Sequence, residues 1–162
     1  MYDNALLLQK YGIRTKIVMA DPRLFPPDVI LIAEDMKDKL SVIDRKIKKL
    51  GRKKLGSLPS IKRYLESDGS LQVEIPTAEH IKKSIAQGNP VMALIFAQAL
   101  GSKEGGMHFV VVTGYDSMNF FLNNPSPLSK LSKVPQKNFM YALHSSTLFD
   151  YDNGTLLLPS KN

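Results

Sequence analysis

The sequence predicts an α+β fold with N-terminal helices packed on an antiparallel sheet. Two observations carry this. Apolar residues recur at steps of three and four in the first half of the chain, and strand-like runs cluster in the second half. A third concerns organisation. No internal repeat or boundary is visible, so residues 1–162 read as a single domain with room for a proper core.

Tyr2 to Tyr11 reads as a helix, with Asp3 or Asn4 able to cap its start and Gly12 ending it. Arg14 to Ala20 turns into Ile17, Val18 and Met19, a strand; Asp21-Pro22 and Pro26-Pro27 punctuate a loop. From Asp28 the period changes. Val29, Ile32, Ala33, Met36, Leu40, Ile43, Ile47 and Leu50 form the stripe of one long helix, or of two broken near Asp38 to Ser41. Ser60 to Leu65 is a short helix, and Gly69 ends that unit. Leu71, Val73 and Ile75 alternate as a half-buried strand. Thr77 caps a helix to Gln87, and Val91 to Phe96 is a buried strand. Met107 to Asp116 and Phe120 to Asn124 form a hairpin. Ser126 to Lys133 is loop, and Pro135 suits the first position of a helix whose inner face is Phe139, Met140 and Leu143. Phe149 to Leu158 closes the chain as a last hairpin, with its turn at Asn153-Gly154.

Composition excludes several functions. The chain has no cysteine, so disulfides, zinc-thiolate sites and thiol catalysis from within it are ruled out. No apolar run approaches a membrane span, and Met1 to Gly12 lacks the basic start and small-residue cleavage site of a signal peptide. The expected location is cytoplasmic, with no membrane partner. No His, Asp or Glu spacing suggests a metal site, and no cofactor is expected. The net charge of +7 admits a polyanion partner as well as a solvated lysine surface. The candidate patch is Lys46, Lys48, Lys49, Arg52, Lys53 and Lys54, at the unrelieved end of the long amphipathic stretch. It lacks aromatic residues for base stacking, so nucleic acid is the weakest of the readings.

The chemically interesting stretch is the hairpin that begins at Met107. A turn at Tyr115 to Ser117 pairs Gly114 with Met118, Val112 with Phe120, Val110 with Leu122 and His108 with Asn124. Opposed residues of an antiparallel ladder share a face. His108 and Asn124 would then be neighbours, and a side-chain amide there can fix the imidazole's tautomer and tilt. That is the base-and-orienter half of a nucleophilic site. Spacing alone is better served by a histidine that ends a strand and an asparagine that starts a loop. Gly105, Gly106, Met107 and Asn123 are the candidate groove residues around the pair.

Over Thr77 to Pro127 the sequence resembles the C-terminal part of a papain-like cysteine peptidase domain of the bacteriocin-processing, C39-like type. Gly88-Asn89-Pro90-Val91 precedes the buried strand, His108 to Asp116 reproduces the central phrase His-Phe-Val-Val-Val-Thr-Gly-Tyr-Asp, and Asn123-Asn124-Pro125 stands where Asn-Asp-Pro is expected. The resemblance implies a papain-like fold, His108 as general base, and Asn124 in place of the orienting Asp. Asn there removes a charge that would stabilise the imidazolium.

The larger departure is the nucleophile. The family's Cys starts an N-terminal helix, where the dipole lowers the thiol pKa. If Tyr2 to Gly12 were that helix, the Cys would fall just before Met1. If it were the family's second helix, which the following strand favours, the Cys would lie further upstream. No substitute presents itself. Ser102 is in a loop, Tyr2 and Asp3 lack the chemistry, Gln9 is within a helix, and His80 and His144 read as isolated surface residues. The expectation is a peptidase-like domain without its nucleophile, non-catalytic as it stands. Its partner would be a peptide or protein segment, or an upstream or separate segment bearing the Cys. The alternatives are a peptide-binding or regulatory module on the same fold, and polyanion binding through the basic helix.

Overall fold

The computed structural model describes residues 1–25, 36–50, 55–101, 106–123, 132–146 and 154–160. The fold is α+β. Its described helices are α1 (Tyr2–Lys10), α2 (Met36–Leu50), α3 (Leu58–Glu66), α4 (Ala78–Ala86) and α5 (Gln136–Ser145). Its described strands are β1 (Arg14–Met19), β2 (Ser70–Val73), β3 (Val91–Phe96), β4 (Met107–Tyr115), β5 (Asn119–Asn123), β6 (Lys133–Pro135) and β7 (Leu156–Ser160). They form one sheet in the order β2-β1-β7-β3-β4-β5-β6. Every neighbouring pair is antiparallel except β1 and β2, which run parallel because α2 and α3 carry the chain across between them.

Strand alternation builds two cores. Ile17, Met19, Leu71, Leu94 and Leu157 face one side, where α1, α2 and α3 cover them with Tyr2, Ala5, Ile43, Leu58, Ile61 and Tyr64. Val18, Val91, Ala93, Ile95, Val110, Val112, Phe120, Leu122 and Leu156 face the other side. There they meet Ile81 of α4 and Phe139, Ala142 and Leu143 of α5. Each such large side chain withdrawn from water contributes on the order of 2 kcal/mol. Phe120 and Phe139 meet edge to face, with ring centroids 5.2 Å apart.

Several sequence expectations are corrected here. Of the two readings of the long amphipathic stretch, the unbroken one holds over Met36–Leu50, with no interruption at Asp38 to Ser41; residues 26–35 lie outside the described residues. β2 ends at Val73 rather than Ile75, which is 66% exposed. Pro76 restricts the residue before it, and Glu74 turns toward α4 instead. The expected terminal hairpin falls partly on 147–153, outside the described residues. Its second strand, β7, is an interior strand between β1 and β3, which explains Leu156-Leu157-Leu158: both faces are covered. A short 3-10 turn at Ala97–Leu100 and the edge strand β6 are additional to the expected elements. Pro135 caps α5 rather than opening its first turn.

Gly69 shows why a particular residue type is needed. A Cβ on it would stand 2.4 Å from the carbonyl oxygen of Tyr64 and 2.5 Å from its ring. The close approach lets the Gly69 N–H donate to that carbonyl at 3.0 Å and directs the chain into β2. Among the described residues, no helix is long and apolar enough to cross a membrane.

Candidate functional site

β4 carries the candidate base. His108 is the second residue of the strand and pairs with Ile95 of β3, while Met107 pairs with Phe96. Ahead of them the Ala97 N–H donates to the Gly106 carbonyl at 3.0 Å, and Gly106 has φ +134°, a conformation that favours glycine. Gly106, Met107 and His108 are therefore held together as a half-buried corner at the mouth of the β3–β4 pair. His108 shares the parity of Val110 and Val112, which places it on the sheet face covered by α4 and α5.

The pairing that placed Asn124 beside His108 is not the one observed. Tyr115 pairs with Phe120, Gly114 with Phe121, Val112 with Leu122 and Val111 with Asn123, with a bulge between Val112 and Gly114. The cause is the turn. The Asp116 carboxylate accepts the N–H groups of Met118 at 2.8 Å and Asn119 at 2.6 Å, and the Asp116 N–H donates to the Asn119 carbonyl. The loop therefore lies at Asp116 to Met118 instead of Tyr115 to Ser117. Hydrogen bonds from those two N–H groups, Met118 first, hold the Asp116 carboxyl down at about 2. Asn123 is exposed opposite Val111, three residues from His108 along β4, or about 10 Å. Asn124, Gly105 and Ser102 lie outside the described residues.

The basic patch is only partly described. Lys48 and Lys49 are exposed on the last turn of α2, whereas Lys46 is half-buried and donates to the Arg23 carbonyl at 2.9 Å. Arg52, Lys53 and Lys54 lie outside the described residues. Asp44, on the same helix, ion-pairs with Lys62 of α3 at 2.7 Å.

His80 and His144, read from sequence as bare surface residues, are both engaged. His144 is half-buried, and burial pushes its pKa down against the opposing effect of a hydrogen bond to the Pro76 carbonyl. His80 occupies the N3 position of α4. Its Nδ1 accepts the Thr77 N–H at 3.1 Å, and its Nε2 contacts the Glu74 carboxylate. The Thr77 hydroxyl stands 2.9 Å from Nδ1. Thr77, His80 and Glu74 thus have the residue types of a nucleophile, a base and an orienter. Their connectivity is nevertheless that of a capping box: the Thr77 hydroxyl takes the His80 backbone N–H while the ring takes the Thr77 N–H. A ring nitrogen already occupied by a backbone donor is not a free base. The Thr-x-x-His spacing was the signal in the sequence, with His where Glu or Gln is usual.

A cleft of about 520 Å³ opens beside this cap, between α4 and residues of β1, β2 and β7 on the α4–α5 face of the sheet. No group of three or more metal-binding side chains occurs among the described residues.

The model of the Peptidase C39 like family matches residues 36–144, well over half of the chain. No curated protein matches. Among solved structures, the chain is similar to the crystal structure of a protein described as a C39-like peptidase from Bacillus anthracis. Identity is 22% and the TM-score 0.41, over 53% of this chain and 48% of that one. The chain thus spans about half the length of the solved chain it matches.

Proposed function

We propose, from the premise that this chain belongs to the C39-like peptidase family, that it is a cysteine-peptidase-like domain that does not hydrolyse peptides on its own. The observation that carries this is the absence of any cysteine in 162 residues. The family's chemistry needs a thiolate beside an imidazole, and the chain offers the imidazole only. His108 stands in the base position. It is backed by the β3 ladder and preceded by Gly106, whose φ of +134° favours glycine.

The side of the sheet on which His108 lies supports an external nucleophile rather than one at the start of α1. Met1, Tyr2 and Ala5 of the α1 region pack into the core on the other face. A thiol just before Met1 would begin on the side of the sheet away from the imidazole. A base acts on a proton only within hydrogen-bond reach, roughly 3 Å.

The test is hydrolysis. The purified chain is incubated with a library of extended peptides, and products are followed by mass spectrometry. The expected outcome is no cleavage above background, with the His108→Ala variant indistinguishable from the native chain. Cleavage that is abolished by His108→Ala would overturn the reading.

A further inference from the structure

The cleft beside α4 is separate from the His108 corner. Its floor is the α4–α5 face of the sheet at Lys16 of β1, Gln72 of β2 and Leu158 of β7, and its wall is α4, at His80, Lys83 and Gln87. Leu158 lies two strands from β4, across β3. Strand spacing and residue rise put the two places on the order of 15 Å apart.

The charges lining the cleft are unequally committed. Glu79 is ion-paired with Lys82 at 3.0 Å, and Glu74, just outside, is held by His80. The His80 ring is itself fixed at both nitrogens, so it forms a rigid wall rather than a ligand. Lys16 and Lys83 are exposed at the cleft, and neither has a side-chain ion pair or hydrogen bond among the described residues. They stand on different elements, one on the sheet and one on the helix. Two cations lining one concavity reinforce each other's potential. The amide side chains of Gln72 and Gln87 supply further donors, and Leu158 supplies an apolar surface for a carbon skeleton.

We propose that this cleft binds a ligand bearing at least two carboxylates, held by Lys16 from the sheet and Lys83 from the helix. The lining favours carboxylate over phosphate. No arginine lines the cleft to offer a planar fork. The first turn of α4 is closed by the Thr77–His80 capping box, which takes two of the N–H groups a phosphate would seek. Such carboxylates could be supplied by a small polycarboxylate or by the acidic side chains of an extended peptide.

The experiment is an amide-resonance titration of the full chain with two probes, citrate and an acetylated tetraglutamate amide, at low ionic strength. Saturable binding is expected, with the resonances of Lys16, Gln72 and Lys83 moving first. The double variant Lys16→Gln/Lys83→Gln should weaken binding at least about tenfold. The control Lys10→Gln/Lys137→Gln removes the same charge outside the cleft and should change it by less than about twofold. Tighter binding of tetraglutamate identifies a peptide as the source, and tighter binding of citrate identifies a small metabolite. His108→Ala should bind both probes as the native chain does, which keeps this result independent of the hydrolysis assay. The proposal is overturned if neither probe saturates, or if the control variant weakens binding as much as the cleft variant.

Discussion

Replacing Tyr64 by Phe removes one oxygen atom from a fully buried site and tests how α3 is tied to the sheet. The Tyr64 hydroxyl lies 2.8 Å from the Thr15 carbonyl of β1 and 3.0 Å from the Ser70 carbonyl of β2, and the Thr15 hydroxyl donates to it at 3.3 Å. Its ring packs edge on against Tyr2, with centroids 5.7 Å apart. Phe keeps the ring and its packing but strands the Thr15 hydroxyl and removes the donor shared by two carbonyls. That should cost about 1–3 kcal/mol near neutral pH. A second signature follows from ionisation. Burial pushes the Tyr64 pKa up to about 12, from about 10 in an unfolded chain. A folded pKa that is raised means stability is fully present below about 10 and is lost as pH rises toward about 12, because the unfolded chain gives up its proton first. The loss approaches roughly 2–3 kcal/mol at the top of that window. The Phe variant has no such proton. Urea denaturation followed by circular dichroism, at neutral pH and in steps above about 10, should show the gap between native and variant narrowing with pH. Equal stabilities at neutral pH, or a gap that stays constant into the alkaline range, would refute the buried-donor argument.

Three other perturbations follow from the same geometry. Gly69→Ala forces a methyl to within 2.4 Å of the Tyr64 carbonyl oxygen, so thermal unfolding should report a loss of at least about 2 kcal/mol, well above an ordinary surface substitution. Asp116→Ala removes the acceptor for the Met118 and Asn119 N–H groups, and faster amide exchange at those two positions is the expected readout. Because the Asp116 pKa is lowered to about 2, its contribution is present above about 3.8 and lost as pH falls through about 2, so an acid titration of native against variant should converge there. Burial lowers the His144 pKa, so stability should fall as pH drops below about 6.5, and that limb should flatten in His144→Gln; an unchanged limb would remove His144 as its source.

The elements that were legible in the sequence are those whose cause is local. Leu58, Ile61 and Leu65 recur at helical spacing, and all three are buried on α3. Gly12 ends α1 with φ +75°. The features that were not legible depend on partners distant in the chain. Nothing near Leu156 says that its neighbours will be β1 and β3, so an interior strand read as half of a local hairpin. The β4–β5 register failed for a subtler reason. The Asp116 side chain competes with the backbone for the N–H groups of the turn and moves the loop one residue along, while a bulge shifts the ladder again. Lys16 and Lys83 are 67 positions apart and meet at one cleft only because β1 and α4 are brought together there.

The two faces of the sheet give the functional proposal its sharpest consequence. Among the described residues, α1, α2 and α3 cover the β2-β1-β7-β3 half on one side, and α4 and α5 cover the other side toward β6. His108 belongs to the second side and sits at the beginning of β4, where Gly106 turns the chain into the strand. A thiol that reacts with this imidazole must therefore arrive at the mouth of the β3–β4 pair on the α4–α5 side. A segment that merely extends α1 backwards begins across the sheet. A Cys-bearing helix that restores hydrolysis should accordingly change the amide resonances of Gly106, Met107 and Ile95, and leave those of Asn4 and Ala5 unmoved. If hydrolysis returned with the opposite pattern, the assignment of His108 as the base would fail, because the thiol would have found its proton acceptor on the other face.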